Sequence, residues 1–471
     1  MHHQPVRIPE HTARAGATSS GCLDRRTLLA ALSAAPLLAL LQACSSSDSP
    51  ATSSTAASAP TSTAAPGGSG REVRSGSARR APDPATALGA ARAVNLLGTD
   101  LYARLAAGNT DNVVFSSASI MYALAMTRAG ARGATETEMD SVLHASETGS
   151  TPEGLHGALN ALDAALESRS GEFQVESQTL PVELAISNSL WGQDGVVWVP
   201  AFLDLLATEY GAGLRVVDYT SDPEAARSAI NNWVAGRTNR RIPELLAPGA
   251  ITPGVMLTLV NAIYLKAPWL SPFPEAATED RAFANADGSK VLVPVMSATI
   301  DATYSRGDGW QAVDLAYVGN SLTMTLIVPE AGSLAEIESR LPTGLLDTVT
   351  SSLAPREVVL DLPRFDIESR VELATVMAAL GMPTAFDPDR ADFSGMATDQ
   401  KLFIDLIIHQ ANITVDEKGT EAAAATAVVM RTTSANTEPP VKLSIDRPFL
   451  YAVRDIPTGA ALFLGRVSRL G

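Results

Sequence analysis

The sequence predicts a mixed α+β domain of one large unit, carried behind an N-terminal export signal and a low-complexity linker. Three observations carry that expectation. Apolar residues in the first half of the folded part recur at helical spacing; apolar runs in the second half alternate or run on as strands do; and the two kinds of segment do not alternate as regular βαβ units.

The chain has 471 residues, with 46% apolar and 18% charged side chains, a globular balance able to fill a sizeable core. Its formal net charge of -16 argues against a nucleic-acid partner, because phosphate backbones recruit clustered Lys and Arg. The two cysteines, Cys22 and Cys44, lie ahead of the folded part, so neither a disulfide nor a thiolate metal site is expected within it.

Residues 1–43 are expected to be an export signal. The stretch DRRTLLAALSAAPLLALLQA places Arg25 and Arg26 before an apolar run too short for a comfortable membrane span. Arg25-Arg26 leaves the general and twin-arginine routes both open. Leu41, Gln42, Ala43 and Cys44 resemble a lipobox, which makes Cys44 the expected lipidation site and a lipid bilayer an expected partner. Residues 44–84 are rich in Ser, Thr, Ala, Pro and Gly and are expected to form a flexible tether. Residues 85–471 continue without a second linker or internal repeat, so one domain is expected there, as a monomer.

Within that domain, Leu88, Val94, Leu97, Leu101 and Leu105, then Ile120, Leu124 and Met126, read as helix. Segments 322–329, 358–363, 402–409 and 461–467 read as strand.

An enzyme is not expected. There is no G-x-S-x-G elbow, and none of Lys266, Lys290, Lys401, Lys418 and Lys442 has serine three residues before it. The folded part holds His144, His156 and His409, with no H-E-x-x-H or Cys–His spacing, so no catalytic metal and no cofactor are expected.

From Val415 the chain reads VDEKGTEAAAATAVVMRTTSANTEPPVKLSIDRPFLYAV. Taken alone, EAAAATAVVM favours an exposed helix. In its setting, Glu417, Lys418, Gly419, Thr420, Glu421 and the run Ala422, Ala423, Ala424, Ala425 resemble the hinge of an inhibitory serpin's reactive-centre loop. Segments 112–133 (NVVFSSASIMYALAMTRAGARG), 230–246 (INNWVAGRTNRRIPELL), 259–269 (LVNAIYLKAPW) and 391–396 (ADFSGM), with Asp446-Arg447-Pro448-Phe449, are similar to further serpin blocks in the same order.

That resemblance implies three β-sheets, eight or nine helices and an exposed reactive-centre loop. It implies an inhibitor of serine proteases, with cysteine proteases left open, that is attacked at its loop and then inserts the loop into the central sheet. Counting forward from the hinge places the reactive bond at Thr433–Ser434. The stretch to Pro448 is longer than the family pattern, and counting back from Pro448 falls near Thr437. Arg431–Thr432 is the alternative that suits a trypsin-like enzyme. Ser116, Ser119, Asn261 and His409 match a hydrogen-bonded shutter where the central strands part, and Trp269 matches the tryptophan of the breach where the loop first enters. The rivals are a non-inhibitory, binding or chaperone-like serpin and a lipid-anchored solute-binding protein.

Period-two alternation gives the loop a physical test. From Thr420 the inward set would be Thr420, Ala422, Ala424, Thr426, Val428 and Met430, all small or apolar. The opposite set, Glu421, Ala423, Ala425, Ala427, Val429 and Arg431, carries both charges.

Overall fold

The computed structural model describes residues 61–63, 70–149, 153–421 and 438–471. Cys44, the signal expected over 1–43, hinge residues Ala422 to Ala425 and both candidate reactive bonds, Thr433–Ser434 and Arg431–Thr432, lie outside the described residues.

In chain order the elements are β1 (Thr61–Thr63), β2 (Arg71–Arg74), α1 (Ala87–Ala106), β3 (Val113–Phe115), α2 (Ser117–Arg128), α3 (Gly133–Val142), α4 (Glu153–Glu167), β4 (Gly171–Val175), β5 (Gln178–Gln193), α5 (Pro200–Tyr210), β6 (Leu214–Val217), α6 (Pro223–Arg237) and β7 (Leu257–Pro268). The second half holds β8 (Glu279–Ala284), β9 (Lys290–Gly307), β10 (Trp310–Ala316), β11 (Leu322–Pro329), α7 (Leu334–Ser339), α8 (Leu345–Ser352), β12 (Ala354–Pro363), β13 (Phe365–Glu372), α9 (Ala374–Leu380), β14 (Leu406–Asp416), β15 (Gly419–Thr420), β16 (Val441–Ser444), β17 (Phe449–Asp455) and β18 (Ala461–Val467). The strand expected over 402–409 thus begins at Leu406 and runs on to Asp416.

Hydrogen bonding joins the central sheet in the order β1-β2-β6-β5-β7-β15-β14-β13, with β4 on β5. The other strands follow β16-β12-β9-β10-β11-β17-β18-β3, with β8 on β9. The resemblance implied three sheets; here two of them share one ladder, because the 18-residue β9 pairs with β8 near its start, with β12 along its middle and with β10 near its end.

Between the sheets lies the main core. α2 is buried along its whole length, as a helix with apolar residues on all sides must be. It rests against β5 and β7 on one side and β18 on the other. A second apolar cluster lies on the far face of the central sheet, where Ile230, Trp233 and Val234 of α6 cover Val260 and Ala262 of β7 and Leu406 and Ile408 of β14. Alternate residues of β14 therefore serve different cores: Ile407, Ala411, Ile413 and Val415 face the main one.

Part of the stretch expected as a tether is ordered. β2 pairs antiparallel with β6, and β1 with β2, so the central sheet is extended by two strands. Arg79 then reaches Asp163 at 2.5 Å, Glu167 at 3.2 Å and Asn160 at 2.8 Å, and Arg80 reaches Glu209 at 3.0 Å. Residues 71–80, ahead of the boundary expected at residue 84, are thus packed on the domain, because β6 supplies a partner edge and α4 and α5 supply acidic anchors.

Candidate functional site

The hinge segment follows β14 through a tight turn. Asp416 Oδ1 accepts from the backbone N–H of Lys418 at 2.8 Å and of Gly419 at 3.2 Å, a side-chain bond that stabilises the reversal. The chain doubles back as β15 and enters between β7 and β14: Thr420 is paired with Val415 on one side and Ala267 on the other, and Gly419 with Asp416 and Pro268. Glu421 donates its N–H to Thr414 O at 3.1 Å and has φ 49°, a left-handed conformation that ends the extended run of β15.

Gly419 is required by this course. Its φ is 154°, and a Cβ there would lie 2.2 Å from Ala267 O and 2.8 Å from Pro268 Cα, both backbone atoms.

Thr420 is 3% exposed and points inward, where its hydroxyl lies 2.6 Å from that of Tyr317. Burial pushes the Tyr317 phenol up against the opposing effect of that bond, so it stays protonated at ordinary pH. Tyr317 stacks on Trp269 with ring centroids 4.5 Å apart and planes 11° from parallel. Trp269 in turn donates its Nε1–H to Asp416 O at 2.9 Å and its backbone N–H to Lys418 O at 2.8 Å. Trp269, expected at the breach, thus grips the turn through two hydrogen bonds.

Glu417 is buried with its carboxylate between Thr278 and Arg364, the latter donating from Nε at 2.8 Å and Nη2 at 2.5 Å. Burial opposes ionisation, yet these hydrogen bonds and the Arg364 charge hold Glu417 below the usual glutamate range. Glu421 points to the other side from Thr420 and pairs with Arg241.

Lower in the same sheet β7 and β14 pair with each other directly, in parallel, from Leu406↔Thr258 to His409↔Asn261. The four residues expected to form a shutter meet here. Ser116 caps α2, its Oγ accepting from Ser119 N–H at 3.1 Å, while its own N–H donates to His409 Nε2 at 2.9 Å. His409 Nε2 is therefore an acceptor, the proton sits on Nδ1, and Nδ1–H donates to Asn261 Oδ1. Burial pushes this imidazole down to about 3, so it is neutral. Ser119 Oγ bonds Asn188 Oδ1 of β5 at 3.2 Å.

Above Asn261↔His409 the direct pairing stops, and below Ala267↔Thr420↔Val415 no described strand fills the space. Residues 262–266 of β7 and 410–414 of β14 form the two lips of this seam. At its fork, Asn261 Nδ2 and Gln410 Oε1 are buried with no hydrogen-bond partner among the described residues. Tyr317, Asp416, Thr278, Arg364 and Arg241 were not singled out from sequence. No local motif marks Tyr317, Thr278, Arg364 and Arg241, since each acts through a residue distant along the chain, and Asp416 acts through the turn that follows it.

A family profile described as Serpin (serine protease inhibitor) matches residues 92–470. The chain belongs to the serpin family. Among its relatives, an uncharacterized serpin-like protein of Thermococcus kodakarensis is 35% identical over 80% of this chain and 84% of its own length. The leukocyte elastase inhibitor of Homo sapiens is 34% identical over 78% of this chain and 96% of its own. Among solved serpins, the thermophilic tengpin in its native state superposes with TM-score 0.71 at 26% identity, covering 83% of this chain and 96% of tengpin. The cleaved Serpin 42Da superposes with TM-score 0.71 at 30% identity, covering 82% and 100%. The architecture is the serpin α+β fold, with nine α-helices among the described residues.

Proposed function

We propose that this serpin inhibits a serine protease as a suicide substrate, with its loop completing the central sheet. One observation carries the reading: the seam between β7 and β14, already entered at its top by Gly419 and Thr420. The relatives named as elastase inhibitors support inhibition as the activity.

The protease's serine hydroxyl would attack the carbonyl carbon of Thr433, expelling the amine of Ser434 and leaving an ester to the loop. Filling the seam would then add about ten ladder hydrogen bonds, each worth a net ~0.5–1.5 kcal/mol, or on the order of 10 kcal/mol. That is comparable with the whole stability of an ordinary domain, roughly 5–15 kcal/mol, and so is enough to deform a protease dragged with the loop.

The test is incubation with a panel of serine and cysteine proteases, followed by a denaturing gel and mass spectrometry of the released C-terminal fragment. A denaturant-stable adduct and a fragment beginning at Ser434 are expected. A fragment beginning at Thr432 moves the reactive bond to Arg431, and cleavage or indifference without any adduct overturns the reading in favour of a non-inhibitory serpin. We further propose that Cys44 carries a lipid that holds the inhibitor at a membrane surface, a role supported by the lipobox-like tripeptide before it.

A further inference from the structure

The arm formed by residues 71–80 joins two parts of the molecule that lie on opposite sides of the seam. Its strand β2 hydrogen-bonds to β6, and the ladder continues through β5 to β7, the first lip. Arg71 Nη2 also holds Asp194, just beyond the end of β5, at 2.8 Å. The second lip, β14 with β13, packs against β3, which is paired to β18 of the other sheet. α1 and α2 rest on β18, and α4 rests on α1 and α2, so α4 belongs to the body that carries β14.

Arg79 ties the arm to that body. It donates from Nη2 to Asp163 at 2.5 Å, from Nη1 to Glu167 at 3.2 Å and from Nε to Asn160 at 2.8 Å, all on α4. Asn160 Nδ2 returns a bond to Arg80 O at 3.0 Å. Burial pushes the Asp163 carboxyl up, and Arg79 opposes that shift through its charge and its hydrogen bond.

α5 is bound by the same stretch. Arg80 N–H donates to Thr208 O at 2.7 Å, its guanidinium reaches the buried Glu209 at 3.0 Å, and Ser77 Oγ donates to Asp204 at 3.1 Å. Admitting a strand between β7 and β14 widens their separation by one strand spacing, about 4.8 Å. Bonds of 2.5 to 3.2 Å between Arg79 and α4 do not stretch so far. Where β6 moves with β7, either Arg79 releases α4 or β2 releases β6.

We propose that the arm is a strap that holds the central sheet closed, with Arg79 and Arg80 as its positioning residues. It runs from α4 and α5 to the ladder that carries β7, and it lets go before the seam opens along its length. The consequence for function rests on the trapping reading: the strap sets the resistance that an entering loop must overcome.

The test is site-resolved hydrogen exchange on the full, uncleaved chain. It needs no protease, so its failure is separate from any failure of the trapping mechanism. Arg79→Gln removes the grip on α4, and Arg80→Gln combined with Glu209→Gln removes the second pair without stranding a buried charge. In both variants the amides where β7 and β14 pair directly, residues 258–261 and 406–409, should exchange at least about tenfold faster than in the parent, while those of β17 and β18 keep parental rates. Parental exchange at the seam in either variant, with faster exchange confined to residues 71–80 and α5, shows an arm that only covers the surface and overturns the proposal. So does an equal rise in β17 and β18, which marks a loss of stability throughout the fold rather than the release of a strap.

Discussion

The hydroxyls of Thr420 and Tyr317 lie 2.6 Å apart, buried beneath the top of the central sheet, with Tyr317 stacked on Trp269. Thr420, seated between β7 and β14, is therefore tied through Tyr317 to Trp269.

Thr420→Arg should behave as a substrate of the protease it otherwise traps. Burying an unpaired guanidinium costs at least several kcal/mol, a large share of the ~10 kcal/mol available from insertion. The variant should stay folded and be cleaved at the parental bond, with little adduct on a denaturing gel. Glu421→Gln, whose side chain points the other way, should trap nearly as well. Full adduct formation by Thr420→Arg would falsify insertion as the trapping step.

Gly419→Ala should unseat β15. The added Cβ meets backbone on β7 that cannot rotate away, and the φ of 154° adds strain on the order of 1–3 kcal/mol. Hydrogen exchange should show the amides of Thr420 and Glu421 losing protection while those of β10 and β11 keep theirs. Unchanged protection at Thr420 would mean that the hinge reseats by another path.

Much of this was legible early. Alternating faces put Thr420 and Glu421 on opposite sides from the sequence alone, and the strands over 322–329 and 461–467 appear where their apolar runs lie. The N-terminal arm was not legible, because REVR carries a single apolar residue and no periodicity. Its order comes from β6 and from the acids at 163, 167 and 209, all remote in sequence. Tyr317 was missed for the same reason: nothing beside it foretells a threonine about a hundred residues later.

Acid should weaken the fold through His409. Its folded value of about 3 lies below the ~6.5 of an unfolded histidine, so the unfolded chain holds the extra proton between those limits. Stability present above pH ~6.5 is then lost as pH falls toward 3, by up to ~1.4 kcal/mol per unit. His156, pushed to about 3 by burial and by Arg128, adds a parallel loss. His409→Gln keeps only the second contribution. Its thermal midpoint should lie below the parent's at pH 7, with the gap narrowing by pH 4; a constant gap would show that His409 does not titrate on unfolding.

Cys44→Ala should abolish incorporation of labelled fatty acid and release the protein from the membrane fraction. Labelling that persists in this variant would rule out Cys44 as the anchor.

The seam has one more consequence. Its two lips offer the same backbone donors and acceptors to any extended chain, and hydrogen bonding alone does not tell one strand from another. What distinguishes the protein's own loop is covalent continuity with Glu421, which makes its entry intramolecular. A short tether of this kind corresponds to a local concentration in the millimolar range, far above that of any free competitor at ordinary protein levels. Selectivity for self therefore resides in connectivity, and any cut or extension of the segment after Glu421 changes that local concentration without touching a single contact in the sheet.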